Sequence, residues 1–406
     1  MAHLRRDVAL LFGARSVRLF AYGALSVVLA LYLSVSGLTE TQIGLIFTLT
    51  LAGDAGISLW ITTTADRIGR KRMLILGAVL MILAGVVFSI TGNVLLLMIA
   101  AIVGVISPSG NEIGPFLSLE QAALSQLLPS ENRTRAFAWY NLAGSLATAS
   151  GAMCGGFLSQ GLLHAGLSEL ASYRAVILGY AGCGVALIVL FLLLSPAVEA
   201  AVAVTATHRV LGLHASKRVV MKLSGLFALD AFAGGFVIQS MVAYWFHVKF
   251  GVDAGVLGSI FFGANILAGI SALLATRIAS RIGLINTMVF THIPSNVLLC
   301  LVPFMPSLNL AIATLLLRFS ISQMDVPTRQ SYTMAVVAPD ERAAASGVTS
   351  IARSVGASVS PVLSGALLVY PVMLSAPFLL AGGLKIVYDL LLYRSFKRRT
   401  SGEREG

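Results

Sequence analysis

The chain has 406 residues, 57% of them hydrophobic and only 11% charged, with a mean hydropathy of +0.89. Water-soluble globular chains carry about 25% charged residues, so a set of ordinary soluble domains is excluded. A formal net charge of +11 would suit nucleic acid, but the positive residues gather in short hydrophilic joints between apolar runs, as in cytoplasmic loops beside anionic lipid. Lipid is therefore an expected partner and nucleic acid is not.

Roughly twenty apolar residues cross a bilayer as helix, and helix is required because unpaired backbone groups are costly in hydrocarbon. A membrane barrel would show alternating segments of about ten residues. Cys154, Cys183 and Cys300 are scattered through apolar runs with no metal-ligand spacing, so neither a disulfide framework nor a metal cofactor is expected. Arg5 and Arg6 precede an apolar run that no small-residue cleavage pattern follows, which predicts a retained first helix.

Taken in order, the apolar runs predict twelve crossings at 16–35, 42–64, 73–91, 94–117, 136–160, 173–194, 222–246, 254–276, 284–304, 308–330, 343–369 and 374–395. The first carries Arg18, which either snorkels to the membrane edge or meets Asp54 in the middle of the second. Burial penalises a charged carboxylate and a nearby cation restores it, so Asp54 is either proton-responsive or permanently paired. The loop that follows, Asp66-Arg67-Ile68-Gly69-Arg70-Lys71-Arg72, must lie outside the hydrocarbon. In the fourth crossing Pro108, Gly110, Gly114 and Pro115 weaken the helix around Glu112. Glu112 is then a cavity or proton-coupling carboxylate, or a satisfied one in a proline-shaped packing region. Helix can resume toward Pro129, with Glu120 nearer the cytoplasmic end, where gating or interfacial pairing suits it. Asn141 in the fifth crossing and Gln239 in the seventh are cavity candidates that need hydrogen-bond partners if buried.

The longest joint, 195–221, separates an N-terminal bundle of six helices (1–194) from a C-terminal bundle with a cytoplasmic tail (222–406). It is either a flexible linker or holds a short interfacial helix near His208 to Lys217. In the second half, Asp230 and Arg318 lie within crossings and join Arg18, Asn141 and Gln239 as substrate-cavity candidates, and a central arginine is costly unless water, a carboxylate or substrate meets it. Arg318 is thus a substrate-facing cation or a partner of Asp230 or Asp325. Asp325, Arg329, Arg342 and Arg353 suit a gate nearer the cytoplasm, and Lys385 and Asp389, four apart, suit a local pair. Positive residues, including Arg133, Arg135, Arg277 and Arg281, fall on alternate loops, which places both termini in the cytoplasm.

Two correspondences point to duplication. Arg67-Ile68-Gly69 and Arg281-Ile282-Gly283 each join one long apolar run to the next, and Gln121 with Gln330, Arg133 with Arg342, and Ser145 with Ser354 share one offset. An all-α polytopic membrane protein is therefore expected, with twelve transmembrane helices in two pseudo-symmetric six-helix bundles and a path between them.

The run Asp66-Arg67-Ile68-Gly69-Arg70-Lys71 resembles the signature between helices two and three of the major facilitator superfamily, with Thr62 where the leading glycine is usual. The resemblance implies a monomeric secondary transporter that rocks about a central cavity. It implies that Asp66 and Arg70 stabilise the outward-facing closure at the cytoplasmic face and that Arg135 joins them; a carboxylate is favoured beside a helix N-terminus and opposite arginine. Gly151-Ala152-Met153-Cys154-Gly155-Gly156 resembles the glycine-rich helix-five signature of drug and metabolite exporters, with Ala152 replacing a usual proline. The leading expectation is a proton-coupled exporter of a small amphiphilic organic compound in the plasma membrane, the inner membrane of a bacterium. A proton symporter importing a polar or anionic metabolite and a non-transporting receptor or scaffold are the alternatives. No nucleophilic, metal or phosphate-binding motif suggests an enzyme or ATP use.

Overall fold

The computed structural model describes residues 2–110, 116–199, 214, 216–338 and 341–401. Among them every regular element is helical: α1 (Ala2–Val35), α2 (Glu40–Ile68), α3 (Arg70–Ile90), α4 (Val94–Val103), α5 (Phe116–Leu127), α6 (Ser130–His164), α7 (Glu169–Leu192), α8 (Lys217–Gly235), α9 (Gln239–Phe250), α10 (Ala254–Ile282), α11 (Leu284–Leu301), α12 (Leu308–Ser322), α13 (Asp325–Ala335), α14 (Arg342–Leu368) and α15 (Ala376–Ser401). Nine helical segments among the described residues are long and apolar enough to cross a membrane, so the chain is an all-α polytopic membrane protein.

Three of the twelve expected crossings fall outside those nine, for physical reasons. The fourth stops at Val103 after ten residues and the tenth at Ser322 after fifteen. The fifth, in α6, is rich in alanine, glycine and serine and is only weakly apolar. The break in the fourth, expected around its prolines, is present. Two others are corrections to unbroken expectations. The span at 222–246 parts into α8 and α9, where Gly234 and Gly235 end α8 and Ser364 Oγ donates to the freed Phe236 carbonyl at 2.8 Å. The span at 308–330 parts at Gln323, whose N–H finds Ser271 Oγ at 3.3 Å before α13 starts with Asp325 and Pro327 in its first turn.

The two Arg-Ile-Gly motifs make equivalent bends. Gly69 has φ +113° and Gly283 φ +87°, a left-handed backbone that favours glycine, and each ends one long helix and opens the next.

The helices form two compact units, residues 1–206 with 238–262, and residues 207–237 with 263–406. In lipid, small residues drive association by letting backbones approach. In the first unit a Cβ on Gly151 would lie 2.0 Å from the Phe20 carbonyl oxygen, and one on Gly23 2.1 Å from that of Thr148, so α1 and α6 touch along their backbones. In the second, Gly356 of α14 does the same against Ala228 of α8, at 2.3 Å. The second unit closes around Leu223, Phe227, Met288, Tyr332, Tyr388 and Phe396.

Candidate functional site

The interior of the first unit is built around α1. Arg18 reaches Glu120 on α5 with two parallel hydrogen bonds, Nη1 to Oε1 at 2.6 Å and Nη2 to Oε2 at 2.8 Å, and both side chains are fully buried. The planar guanidinium matches the carboxylate fork, which makes a charge-assisted pair strong where water is absent. Tyr140 on α6 also donates to Glu120, and Phe116 lies under the Arg18 guanidinium at 4.6 Å. One turn earlier, Arg15 donates to Asn141 Oδ1 at 3.2 Å and covers the Tyr140 ring at 4.2 Å. Arg18, expected at the membrane edge or beside Asp54, is thus joined to Glu120, and Asn141 has a protein donor. Asp54 is buried on α2, and Glu112 lies outside the described residues.

The break after α4 docks against α1 and α9. Ser240 N–H donates to the Pro108 carbonyl at 3.0 Å, Ser240 Oγ to that of Ser26 at 2.8 Å, and Gln239 Nε2 to Ser26 Oγ at 2.7 Å. Gly110, with φ +67°, passes so close that a Cβ would sit 3.0 Å from Ser26 Oγ. Gln239 therefore spends a donor on the fold at a point where helix four is open.

At the Arg67 loop the sequence reading missed the central carboxylate. The backbone N–H groups of Arg70 and Lys71, the unpaired first donors of α3, point at Glu199, at 2.6 and 3.3 Å. Arg70 Nη1 donates to Gln126 at 3.1 Å, Gln126 donates to the Ala197 and Glu199 carbonyls, and Lys71 Nζ donates to those of Leu192 and Leu194. The side chain of Asp66 lies outside the described set, and Arg67 and Arg135 are exposed. Arg133 Nε donates to the Leu128 carbonyl just past α5 at 3.1 Å, and Arg342 Nε donates to the Met334 carbonyl in the last turn of α13 at 3.0 Å.

The second unit gathers most of its sequence candidates at one carboxylate. Asp230 on α8 accepts from Lys385 on α15 at 2.6 Å, Arg353 on α14 at 2.9 Å and Arg329 on α13 at 3.2 Å. Arg329 also donates to Asp325 at 2.8 Å. The expected Lys385–Asp389 pair is not made: Lys385 turns to Asp230, and Asp389 accepts from His292 Nδ1 at 2.9 Å and Asn296 Nδ2 at 3.2 Å. His292 and Asn296 were not foreseen, although four-residue spacing puts both on one face of α11. Arg318 makes no ion pair among the described residues, its Nε has no hydrogen-bond partner there, and its guanidinium stands 4.8 Å over Phe319. Before α14, Glu341 accepts from the N–H groups of His214 and Ser216 ahead of α8, the latter at 2.8 Å. Burial alone would raise its carboxyl; hydrogen bonds from the Ser216 side chain and those two amides outweigh it and hold the group down at about 2.

No group of three or more His, Cys, Asp or Glu suited to a metal ion occurs among the described residues. The profile described as Major Facilitator Superfamily matches residues 11–361. An uncharacterized membrane protein of Saccharomyces cerevisiae is 33% identical over 418 residues, spanning 95% of this chain and 93% of the relative. A mutant form of the nucleoside transporter NupG superposes with a TM-score of 0.78 at 14% identity, over 96% of this chain and 99% of that one. A bacterial homologue of the human lysosomal transporter Spinster, inward-facing and occupied, gives 0.76 at 15% identity over 98% of each chain. A D-xylose–proton symporter gives 0.68 at 14% identity, over 95% and 97%. The profile covers most of the chain and the fold agrees with it: the chain belongs to the Major Facilitator Superfamily and is a secondary transporter of a small organic compound.

Proposed function

We propose that the protein is a proton-coupled exporter of a small amphiphilic organic compound, working by alternating access of two six-helix bundles, 1–194 and 222–406, with the linker 195–221 and both termini in the cytoplasm. The observation that carries coupled transport is the set of buried ionisable groups inside the helical units: Arg18, Asp54 and Glu120 in one unit, Asp230, Arg329 and Lys385 in the other. Such groups are expensive in a membrane and mark ion and substrate pathways. Asp54 and Glu112 are the proposed coupling carboxylates, and the loops bearing Asp66, Arg70, Arg133 and Arg342 bias closure. A proton gradient drives substrate only if both ligands bind the two states unequally.

Export is favoured by the helix-five glycines. Gly151 and Gly155 lie against α1, and Gly156 lies against α10, where a Cβ would stand 2.3 Å from the Ala254 carbonyl oxygen. The second reading, proton-coupled import of a polar or anionic metabolite, is favoured by Arg318, a half-buried guanidinium with an unmatched Nε. Proteoliposomes with opposite pH gradients and a chemically broad substrate panel separate the two: export predicts accumulation against an opposed proton gradient, symport accumulation with it. Flux that ignores the gradient in both directions refutes coupling. Unchanged coupled flux in D54N, E112Q and R318A removes these residues from the mechanism. Saturable binding with no flux would instead make the protein a receptor.

A further inference from the structure

An acceptor-rich cavity in the first unit stands apart from the ion pairs of its interior. Its volume is about 180 Å³, and four helix ends meet at it: the last turns of α6 and α9 and the first turns of α7 and α10. Two of these helices come from the N-terminal half of the sequence and two from the C-terminal half, yet the residues that line the cavity all belong to one compact unit. Tyr244 of α9 donates to Glu40 at the start of α2 at 2.9 Å, so the cavity stands at the end of the unit away from the loop at 66–72. Beside it α6 and α10 touch. A Cβ on Gly258 would lie 2.7 Å from the Ala152 carbonyl oxygen, and one on Gly255 3.4 Å from Gln160 Cβ.

The cavity walls are rich in acceptors. Glu169 and Asp253 line it, and neither carboxylate has an ion-pair partner among the described residues. Asp253 spends Oδ1 on the Val256 N–H at 2.9 Å, at the start of α10, and keeps Oδ2. His247 Nδ1 donates to the Val252 carbonyl at 2.8 Å, so Nε2 of the neutral ring is an acceptor. Gln160, whose Nε2 meets His164 Nε2 at 3.2 Å, keeps Oε1. Among the described residues no lysine or arginine lines the cavity; Lys249 of the same joint lies over Trp245 and Phe250, at 5.0 and 5.3 Å. Two helix starts and two helix ends converge here, so their partial charges of about +0.5 and −0.5 offset one another and the two carboxylates remain.

Helix capping by itself accounts for an acid at each helix start. It does not account for Ser172. That side chain is 1% exposed and lines the cavity, and its Oγ has no hydrogen-bond partner among the described residues. A buried hydroxyl left so is costly unless something in the cavity meets it.

Donors and positive charge are what these walls lack. A metal ion matches them poorly, since no group of three or more His, Cys, Asp or Glu among the described residues is suited to one. An ammonium group supplies three N–H donors with its charge. The volume holds about six waters, or a chain of about six non-hydrogen atoms, and Leu163, Ala254 and Tyr173 offer apolar surface to methylenes.

We propose that this cavity binds a small aliphatic diammonium ion, with one amino group at Glu169 and Ser172 and the other at Asp253, and that the bound ion ties the start of α10 to α7. Binding needs nothing from the transport reading; the consequence for transport, that an occupied site holds residues 238–262 on the first unit and slows the cycle, rests on it.

The test is calorimetric titration of the purified full chain in detergent with 1,4-diaminobutane, at about pH 8, where histidine is neutral and alkylamines are charged. 1,4-Butanediol is the uncharged match and magnesium chloride the metal control. Wild type is expected to bind the diamine at least about tenfold more tightly than either. Glu169→Gln and Asp253→Asn should each lose about tenfold, and Ser172→Ala about threefold. Both acids are exposed and asparagine still caps a helix, so these variants should keep the wild-type thermal midpoint. Diamine binding no tighter than diol or magnesium binding, or wild-type affinity in both acid variants, overturns the proposal. Should the variants fail to fold, amide hydrogen exchange at 251–253 in wild type decides: slowing by the diamine and not by the diol is expected, and no slowing is equally fatal. Vesicle flux keeps the two readings apart. Diamine on the face away from the loop at 66–72 should slow flux in wild type and not in Asp253→Asn. Transporting vesicles that bind diamine without slowing refute the holding role, whereas binding without any flux sinks the transport reading and leaves the site standing.

Discussion

Glu120→Gln is the most discriminating single change in the first unit. It keeps the shape of the side chain and strips the charge that Arg18 faces at 2.6 and 2.8 Å. Each hydrogen bond to a charged group is worth about 1.5–3 kcal/mol, and breaking one partner of a buried pair costs about 3–5 kcal/mol because the other charge is left in low dielectric. The two bonds and the donation from Tyr140 agree with the upper part of that range. Removing both charges is different: Arg18→Met with Glu120→Met should be neutral or stabilising, since a well-packed apolar pair avoids desolvation altogether. Unfolding by added SDS in mixed micelles, run on wild type, both single variants and the double, gives the coupling energy directly. A Glu120→Gln loss below about 1 kcal/mol, or a double variant worse than either single one, would refute the reasoning.

Other expectations follow from backbone approach and from pH. Gly151→Leu places a Cβ 2.0 Å from the Phe20 carbonyl oxygen, so α1 and α6 must part, at a cost above the usual 1–3 kcal/mol of overpacking. Gly161→Leu, with nothing within 4 Å of its Cβ, should elute as wild type in size-exclusion chromatography. Glu341 has its carboxyl lowered from 4.5 to about 2, so its contribution is complete above about pH 4.5 and fades as pH falls through about 2. The difference in thermal midpoint between wild type and Glu341→Gln should therefore be constant above that window and shrink within it; a difference that grows on acidification contradicts the assignment.

Much of the helical layout was legible because it is local. Arg67-Ile68-Gly69 and Arg281-Ile282-Gly283 announce their bends through a charge that cannot enter lipid and a glycine that tolerates positive φ. Pro108 and Gly110 likewise announce the break that follows α4. Other breaks were less visible: Gly234-Gly235 and Pro327 are present in the sequence, but either can sit in a continuous membrane helix, and the carbonyl of Phe236 is freed only because Ser364 of another helix receives it. The charge network was least legible. Spacing of four residues pairs Lys385 with Asp389, but tertiary partners on α8 and α11 win both side chains. Glu199 and Glu341 escaped notice for the same reason, since the amides they accept from are distant in sequence.

The repeat offset carries one more consequence. One residue before the Gln121 and Gln330 pair stand Glu120 and Arg329, equivalent positions of opposite charge. In the first unit the cation sits on the opening helix and the acid on the lower half of the broken fourth; in the second, Asp230 is on the opening helix α8 and Arg329 on α13. Each half thus neutralises its own broken helix, but with inverted polarity. A duplicated protein whose halves shared one polarity could satisfy its charges just as well by pairing the first helix of one half with the fourth of the other. Here that exchange would set Arg18 against Arg329 and Asp230 against Glu120, and like charges without water repel strongly. The inversion removes a competing arrangement that hydrophobic pattern alone would permit. R18E/E120R tests this, because it restores a local pair of similar strength while giving both halves the same polarity. It should unfold within about 1 kcal/mol of wild type once folded, yet a smaller share of the synthesised chain should reach the monodisperse state. A wild-type yield for the reversed pair would show that polarity does not guide assembly.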